Sequence, residues 1–422
     1  MATGSPARSV EVTDPLAETV VSIERIAAGG DGVGHWPDGR VVFVPRTAPG
    51  DRVAVSLVLD KPRYLKGELR RIVEPSPLRV SPSCAHYDAD QCGGCQLQHL
   101  DQSAQQAAKR TIVGDALRRL AGLEVDDPPI EAQQEPWAYR RKITLSRAGI
   151  SSFGFHRRQP AGSVFALESC RVAAPALMEM WQLLRANADL IPQRADRLTL
   201  REDGTGGRHL VAHGVAPDAW PDSAACAARF ASAGIEVSVW VVDAGNEARQ
   251  VAGLEARVAG LAFEQIDPAM GARVRRDAVA GLGPVAGRHV WDLYAGIGQT
   301  AALLAEAGAT VSCVELAADA VRCAPRRAGV RWFEGSAEEI APGLGPPDLV
   351  ITNPPRTGMG KAVIEALLAA APERIVYLSC DPATMARDIK RLAGKFIVTE
   401  VTAYDLFPQT AHVESVTLLE RR

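Results

Sequence analysis

The sequence predicts a multidomain α/β protein: a small N-terminal β-barrel, an α+β middle and a C-terminal doubly wound sheet. Three observations predict it. Short β-rich runs are separated by Gly, Pro and Asp turns up to about residue 76; Cys84, Cys92 and Cys95 crowd together just beyond; and strand-like and helix-like runs alternate regularly after residue 290. A chain of 422 residues, 47% hydrophobic and 23% charged, is long enough to bury more than one core.

Residues 1–16 read as a disordered tail. Residues 17–76 carry the runs "TVVSIERIA", "RVVFVP", "DRVAVSLVLD" and "YLKGELRRIV", with turns such as "AGGDGVG" between them, and so form the barrel. Residues 77–255 are the α+β region. A helical run over 97–123 is expected to pack on the C-terminal domain, and strand-like pieces ("KITLS", "SSFGFH", "SVFAL") follow the link "EVDDPP". Residues 256–422 hold the alternating pattern, which builds an open, mostly parallel sheet with its ligands at the carboxyl ends of the strands.

Composition excludes some classes of function. No apolar run approaches the roughly 18 residues of a membrane span, and the polar start contains no signal peptide, so a cytoplasmic protein is expected. A net charge of −3 argues against indiscriminate nucleic-acid binding. The local clusters "YRRK", "HRR" and "RDIKRLAGK" still permit an RNA partner. Without a secretion signal, the tight cysteine trio suggests metal before disulfide, either zinc or an iron-sulfur cluster.

Chemistry gathers at the strand ends. "DLYAGIGQT" offers Asp292 and a tight turn through Gly296 and Gly298, and Glu315 ends the next strand, where an acid grips ribose hydroxyls. Neither the dinucleotide nor the Walker glycine pattern is present, which points to S-adenosylmethionine. In "NPPRTG" the consecutive prolines turn the chain out of the sheet, and Asn353 and Arg356 are expected to face the substrate. Cys380, in "YLSCDPATMARD", stands where a helix begins at Pro382, so a thiolate is favoured by the positive helix end. Glu414 is the lone acid of the closing run "HVESVTLL" and is the candidate base.

These motifs, with "FEQIDPAMG" and "FPQTAHVESV" in the same order, resemble the uracil-C5 RNA methyltransferase family, most closely its 23S ribosomal RNA type. The resemblance implies a TRAM domain of OB-like barrel form and a Rossmann-like methyltransferase domain. It also implies a [4Fe-4S] cluster on Cys84, Cys92, Cys95 and Cys170. S-adenosylmethionine would contact Gln265, Asp292, Tyr294, Gly296, Gly298, Glu315 and Asn353, with Phe263 a further stacking candidate. Cys380 would be the nucleophile that adds to uracil C6, and Glu414 the base that removes the C5 proton. The target base would be splayed out of its RNA. Three positions depart from the family pattern: Asn353 for Asp, Ala295 for Cys and Asp267 for Asn. The barrel and cysteines favour 23S ribosomal RNA over transfer RNA, acted on by a monomer with no protein partner. The competing readings are a transfer RNA uracil methyltransferase, an amino-group methyltransferase using "NPPR", and a non-catalytic RNA-binding protein.

Overall fold

Five short strands close on themselves near the N-terminus: β1 (Thr19–Ile26), β2 (Gly32–His35), β3 (Val41–Val44), β4 (Arg52–Asp60) and β5 (Tyr64–Glu74), in the order β1-β2-β3-β5-β4. Alternate residues point inward, so Val21, Ile23, Val42, Val44, Val53, Val55 and Leu65 fill the expected barrel. The structure, a computed structural model, describes residues 18–160, 162–243, 245, 248–256 and 265–422. The tail expected over 1–16 and the stacking candidate Phe263 lie outside the described residues.

The middle region begins with a short turn of helix, α1 (Ala85–Asp88), and a long one, α2 (Gln102–Ala116), prolonged by a π turn to Ala121 and stopped at Gly122, whose φ is 74°. The predicted helix begins at Gln102 rather than at residue 97. Asp101 caps it, its carboxylate accepting from the Ala104 N–H at 2.7 Å, while the Leu97 N–H is spent on the carbonyl of Gln409 at 3.0 Å. After the two-residue strand β6 (Ile130–Glu131) come β7 (Lys142–Arg147), β8 (Phe153–His156), β9 (Val164–Ala166), α3 (Pro175–Ala186), β10 (Arg197–Glu202), β11 (Arg208–His213), α4 (Ser223–Ser232), β12 (Ser238–Val242) and β13 (Ala248–Gly253). The strands form one seven-stranded sheet, ordered β13-β12-β11-β10-β7-β8-β9. Its inner face packs Leu145, Leu200 and Val239 against Leu177 and Trp181 of α3 and Phe230 of α4.

The C-terminal region runs α5 (Pro268–Gly281), β14 (His289–Leu293), α6 (Gln299–Glu306), β15 (Thr310–Glu315), α7 (Ala318–Cys323), β16 (Val330–Glu334), α8 (Ala337–Ile340), β17 (Leu349–Thr352), α9 (Lys361–Ala370), β18 (Arg374–Ser379), α10 (Pro382–Leu392), β19 (Phe396–Tyr404) and β20 (Glu414–Arg421). Its sheet is ordered β16-β15-β14-β17-β18-β20-β19-β6. The strands β14 to β18 are parallel, and β20 returns antiparallel to both of its neighbours. Strand order reverses between β14 and β17, which opens a crevice at their carboxyl ends.

Two contacts tie the regions together. Ile112 and Val113 of α2 and Leu117 of the π turn that prolongs it share a core with Met385, Ile389 and Leu392 of α10. Lys109, wholly buried, is paired with Asp405 and donates to the Phe407 carbonyl at 2.9 Å. Among the described residues, no helix is long and apolar enough to cross a membrane.

Candidate active site

The crevice is built first by the turn after β14. Tyr294 at φ 62°, Gly296 at 57° and Gly298 at 77° all take the left-handed conformation. At Gly298 a side chain is excluded twice, because a Cβ there would also stand 2.6 Å from the Trp332 ring of β16. Glu315, at the end of β15, accepts from the Gly296 N–H at 2.7 Å through one oxygen and from the Ala317 N–H at 2.8 Å through the other. Each oxygen keeps a lone pair, so the carboxylate braces the turn and can still receive two hydroxyls.

Asp292 lies wholly inside, with its Oδ2 buried and unpartnered. Burial, and then the charge of Glu315, push its carboxyl up to about 7. The indole N–H of Trp332 is likewise buried without a partner. Two orphan polar groups beside a left-handed turn are what a polar ligand would satisfy. Gln265 is half-buried beside the first turn of α5, its Cβ only 2.7 Å from where one on Gly271 would be. The Tyr294 hydroxyl is engaged elsewhere, donating to Glu338 of α8 at 3.1 Å, which leaves its ring rather than its hydroxyl for a ligand.

The next two strands supply the reactive groups. Ser379 of β18 pairs with Ser415 of β20, so antiparallel register brings Cys380 beside Glu414. Glu414 is buried, and burial pushes its carboxyl up to about 8. The half-buried Cys380 thiol is raised above its ordinary range, by burial first and by Glu414 second, while Arg356 opposes the shift with its charge and a hydrogen bond. This departs from the expectation that the positive helix end favours a thiolate. The first free N–H groups of α10 are taken by the Asp381 carboxylate, at 3.0 Å from Ala383 N and 3.0 Å from Thr384 N, and Asp381 itself raises the thiol. Arg356 is the cation that acts on the Cys380 thiol.

Asn353 leaves β17 at the mouth of the crevice, its N–H donating to the Leu293 carbonyl of β14 at 3.2 Å. It therefore stands between the glycine turn and the Cys380 strand, while the exposed Arg356 reaches the thiol from the same loop.

Cys84, Cys92, Cys95 and Cys170 all line one cavity of about 420 Å³, which Arg356, Phe407 and His412 also line. Burial pushes the Cys92 thiol up to about 11 and the Cys95 thiol up to about 12. All four are free thiols, and among the described residues no group of three or more His, Cys, Asp or Glu side chains is arranged as a formed metal site. The structure thus turns the four toward one space without setting them in ligand positions.

Several working residues escape a reading by sequence. Gln105 of α2 donates to the Gln409 side chain at 3.0 Å and accepts from the Gln409 N–H at 3.0 Å, holding the loop that leads into Glu414. Trp332 closes the glycine turn, and Asp388 anchors the loop of Arg356 through the Met359 N–H at 2.7 Å. Asp388 ends the quoted "YLSCDPATMARD", yet only its burial in the fold distinguishes it from a surface acid.

Comparison with known proteins places this arrangement. A family model described as tRNA (Uracil-5-)-methyltransferase matches residues 346–422, and one for the TRAM domain matches residues 17–69. An uncharacterized RNA methyltransferase of Protochlamydia amoebophila is 31% identical, over 94% of this chain and 96% of its own length. One of Gloeobacter violaceus is 34% identical, over 95% and 96%. The crystal structure of the Pyrococcus abyssi tRNA (uracil-54, C5)-methyltransferase in complex with S-adenosyl-L-homocysteine superposes with a TM-score of 0.73 at 24% identity, covering 94% of this chain and 99% of that one.

Proposed function

Since this chain belongs to the S-adenosylmethionine-dependent RNA uracil-5-methyltransferase family and carries its TRAM domain, we propose that it forms 5-methyluridine in 23S ribosomal RNA by covalent catalysis through Cys380. The observation that carries this reading is the juxtaposition of Cys380 and Glu414 just beyond the last paired residues of β18 and β20, with the charge of Arg356 acting on the thiol.

The chemistry requires both groups. Uracil C5 is too weak a nucleophile to accept a methyl group unaided. The Cys380 sulfur adds to C6 of a splayed uridine, which makes C5 electron-rich. Arg356 stabilises the thiolate before addition and leaves Asn353 to face the base edge. Asn353 donates as well as accepts, unlike an ionised Asp, so it can also hydrogen-bond a developing enolate oxygen. Glu414 then takes the C5 proton, and the electron pair that returns to the ring expels the Cys380 sulfur. A carboxyl held at about 8 is a base matched to near-neutral solution.

S-adenosylmethionine supplies the electrophilic methyl group. The residues present suit it: Glu315 for the ribose hydroxyls, the turn Tyr294 to Gly298 for close backbone approach, Asn353 beside it, and the unpartnered Oδ2 of Asp292 for a polar group, with Gln265 at the α5 edge. Cys84, Cys92, Cys95 and Cys170 suit a [4Fe-4S] cluster as a donor set, being four thiols on one cavity. A polar methyl transfer needs no electron from such a cluster, so its role is structural or RNA-positioning. Iron content after anaerobic reconstitution, compared between wild type and Cys170→Ala, tests the assignment.

The choice of ribosomal RNA rests on the cysteine set. The barrel does not separate the two substrates, because the archaeal tRNA enzyme shares the fold over nearly the whole chain. That likeness favours tRNA as the second reading. The deciding experiment transfers labelled methyl from S-adenosylmethionine to unmodified 23S rRNA and to bulk tRNA, then digests to nucleosides. 5-Methyluridine in 23S rRNA that is lost in Cys380→Ala is the expected result. Label in tRNA alone selects the second reading, and transfer that survives Cys380→Ala overturns the covalent route.

A further inference from the structure

Asp388 is fully buried on α10, beyond the nucleophile. Its Oδ2 accepts from the Met359 N–H at 2.7 Å and the Tyr377 hydroxyl at 3.0 Å. Its Oδ1 accepts from Arg387 Nε at 3.0 Å, Arg387 Nη2 at 2.9 Å and Arg391 Nη1 at 3.3 Å. A buried carboxylate with this many donors, two of them cationic side chains, has both of its oxygens fully engaged.

The partners are not a random set. Met359 closes the loop that carries Arg356, and Arg387 extends the grip by donating Nη2 to the Thr357 carbonyl at 2.7 Å. Gly358, at φ 75°, lies so close that a Cβ would stand 2.5 Å from Asp388 Oδ2. Tyr377 belongs to β18, the strand that delivers Cys380. One carboxylate therefore holds both the strand of the nucleophile and the loop of the cation that faces it.

We propose that Asp388 is a positioning residue of the active site, fixing Arg356 against the Cys380 sulfur by clamping the "NPPRTG" loop onto α10 and β18. The proposal rests on the reading of Cys380 as the nucleophile. The charged groups that face the thiol are Glu414 from β20, Arg356 from the loop after β17 and the adjacent Asp381, with His412 beside Arg356. Among these, Arg356 alone favours thiolate. When the clamp is lost, Glu414 and Asp381 act on the sulfur unopposed.

The test is the rate of iodoacetamide alkylation of Cys380 against pH, followed by mass spectrometry of its peptide in the full-length protein without RNA. The variants are Asp388→Asn, Arg387→Met, Arg356→Ala and the Asp388→Asn/Arg356→Ala double. Asp388→Asn and Arg387→Met are expected to move the alkylation midpoint upward, as Arg356→Ala does, and the double variant to move it no further than Arg356→Ala alone. Methyl transfer should fall about a hundredfold in kcat in Asp388→Asn, with KM for S-adenosylmethionine unchanged, as for a displaced reacting group. Arg387→Met leaves the Met359 and Tyr377 bonds in place and decides the matter if Asp388→Asn does not fold. A wild-type alkylation profile in folded Arg387→Met and Asp388→Asn, with only the thermal midpoint lowered, overturns the proposal and leaves Asp388 a stabilising residue. Failure of the nucleophile reading itself is seen separately, as methyl transfer that persists in Cys380→Ala.

Discussion

At the residue scale, two carboxyls and one thiol set the behaviour of the site. Glu414→Gln keeps the shape of the proposed base but cannot take a proton; a protein–RNA adduct that survives denaturing electrophoresis should accumulate, whereas Cys380→Ala forms none. Burial raises the Glu414 carboxyl from 4.5 to about 8, so its contribution to stability is complete below the lower value and is lost as pH rises through the upper one. Asp292 adds the same sign between 3.8 and about 7. The thermal midpoint should therefore fall as pH rises across this window while turnover climbs toward its upper end, and Glu414→Gln should flatten the stability slope in a pH series of melts. Gly298→Ala, which drives a methyl into the Trp332 ring at a left-handed position, should abolish S-adenosylmethionine binding in calorimetry without unfolding the chain. The placement of Cys380, Glu414, Glu315 and the glycine turn at strand ends around one crevice was legible because each is a chemically distinctive residue bounding an apolar run. The raised thiol was not: it depends first on burial and then on Glu414 standing alongside, both consequences of tertiary packing.

At the scale of elements, α2 is the piece whose importance is out of proportion to its sequence signal. Its one buried lysine reaches Asp405, and its one buried glutamine meets Gln409, both in the loop that feeds β20. Lys109→Met should lower stability by about 3–5 kcal/mol, since it leaves the buried Asp405 carboxyl without its ion-pair partner. The double variant Lys109→Met/Asp405→Leu should recover most of that loss in denaturant titration. Strand and helix alternation made β14 to α10 readable, because each parallel strand is an apolar run bounded by turn residues. The start of α2 at Gln102 was misread because the apolar Leu97 and Leu100 fit a helical period, although their backbone and side chains serve the junction with the barrel and with Gln409. The strand β6 is too short to leave any periodic mark.

At the scale of the whole molecule, the three regions do not have three private cores. Ile26 and Ala48 of the barrel region, Leu97, Leu100, Ala104 and Ala108 from the middle, and Ala411 beside the active site form a single apolar cluster. Removing residues 1–76 should therefore lower the thermal midpoint of the remainder as well as its RNA affinity, and a melt of the truncated protein checks this. The two-residue strand β6 goes further, for it comes from the middle of the chain yet forms the outer edge of the C-terminal sheet, beside β19, and Glu131 there is salt-bridged to Arg273 of α5 at 3.1 Å. During synthesis Ile130 and Glu131 leave the ribosome long before their partners Ala403 and Tyr404 exist. The nascent chain cannot close its last sheet region by region as it emerges; that edge is sealed only once the distant hairpin of β19 and β20 has been made and meets a strand that has been waiting.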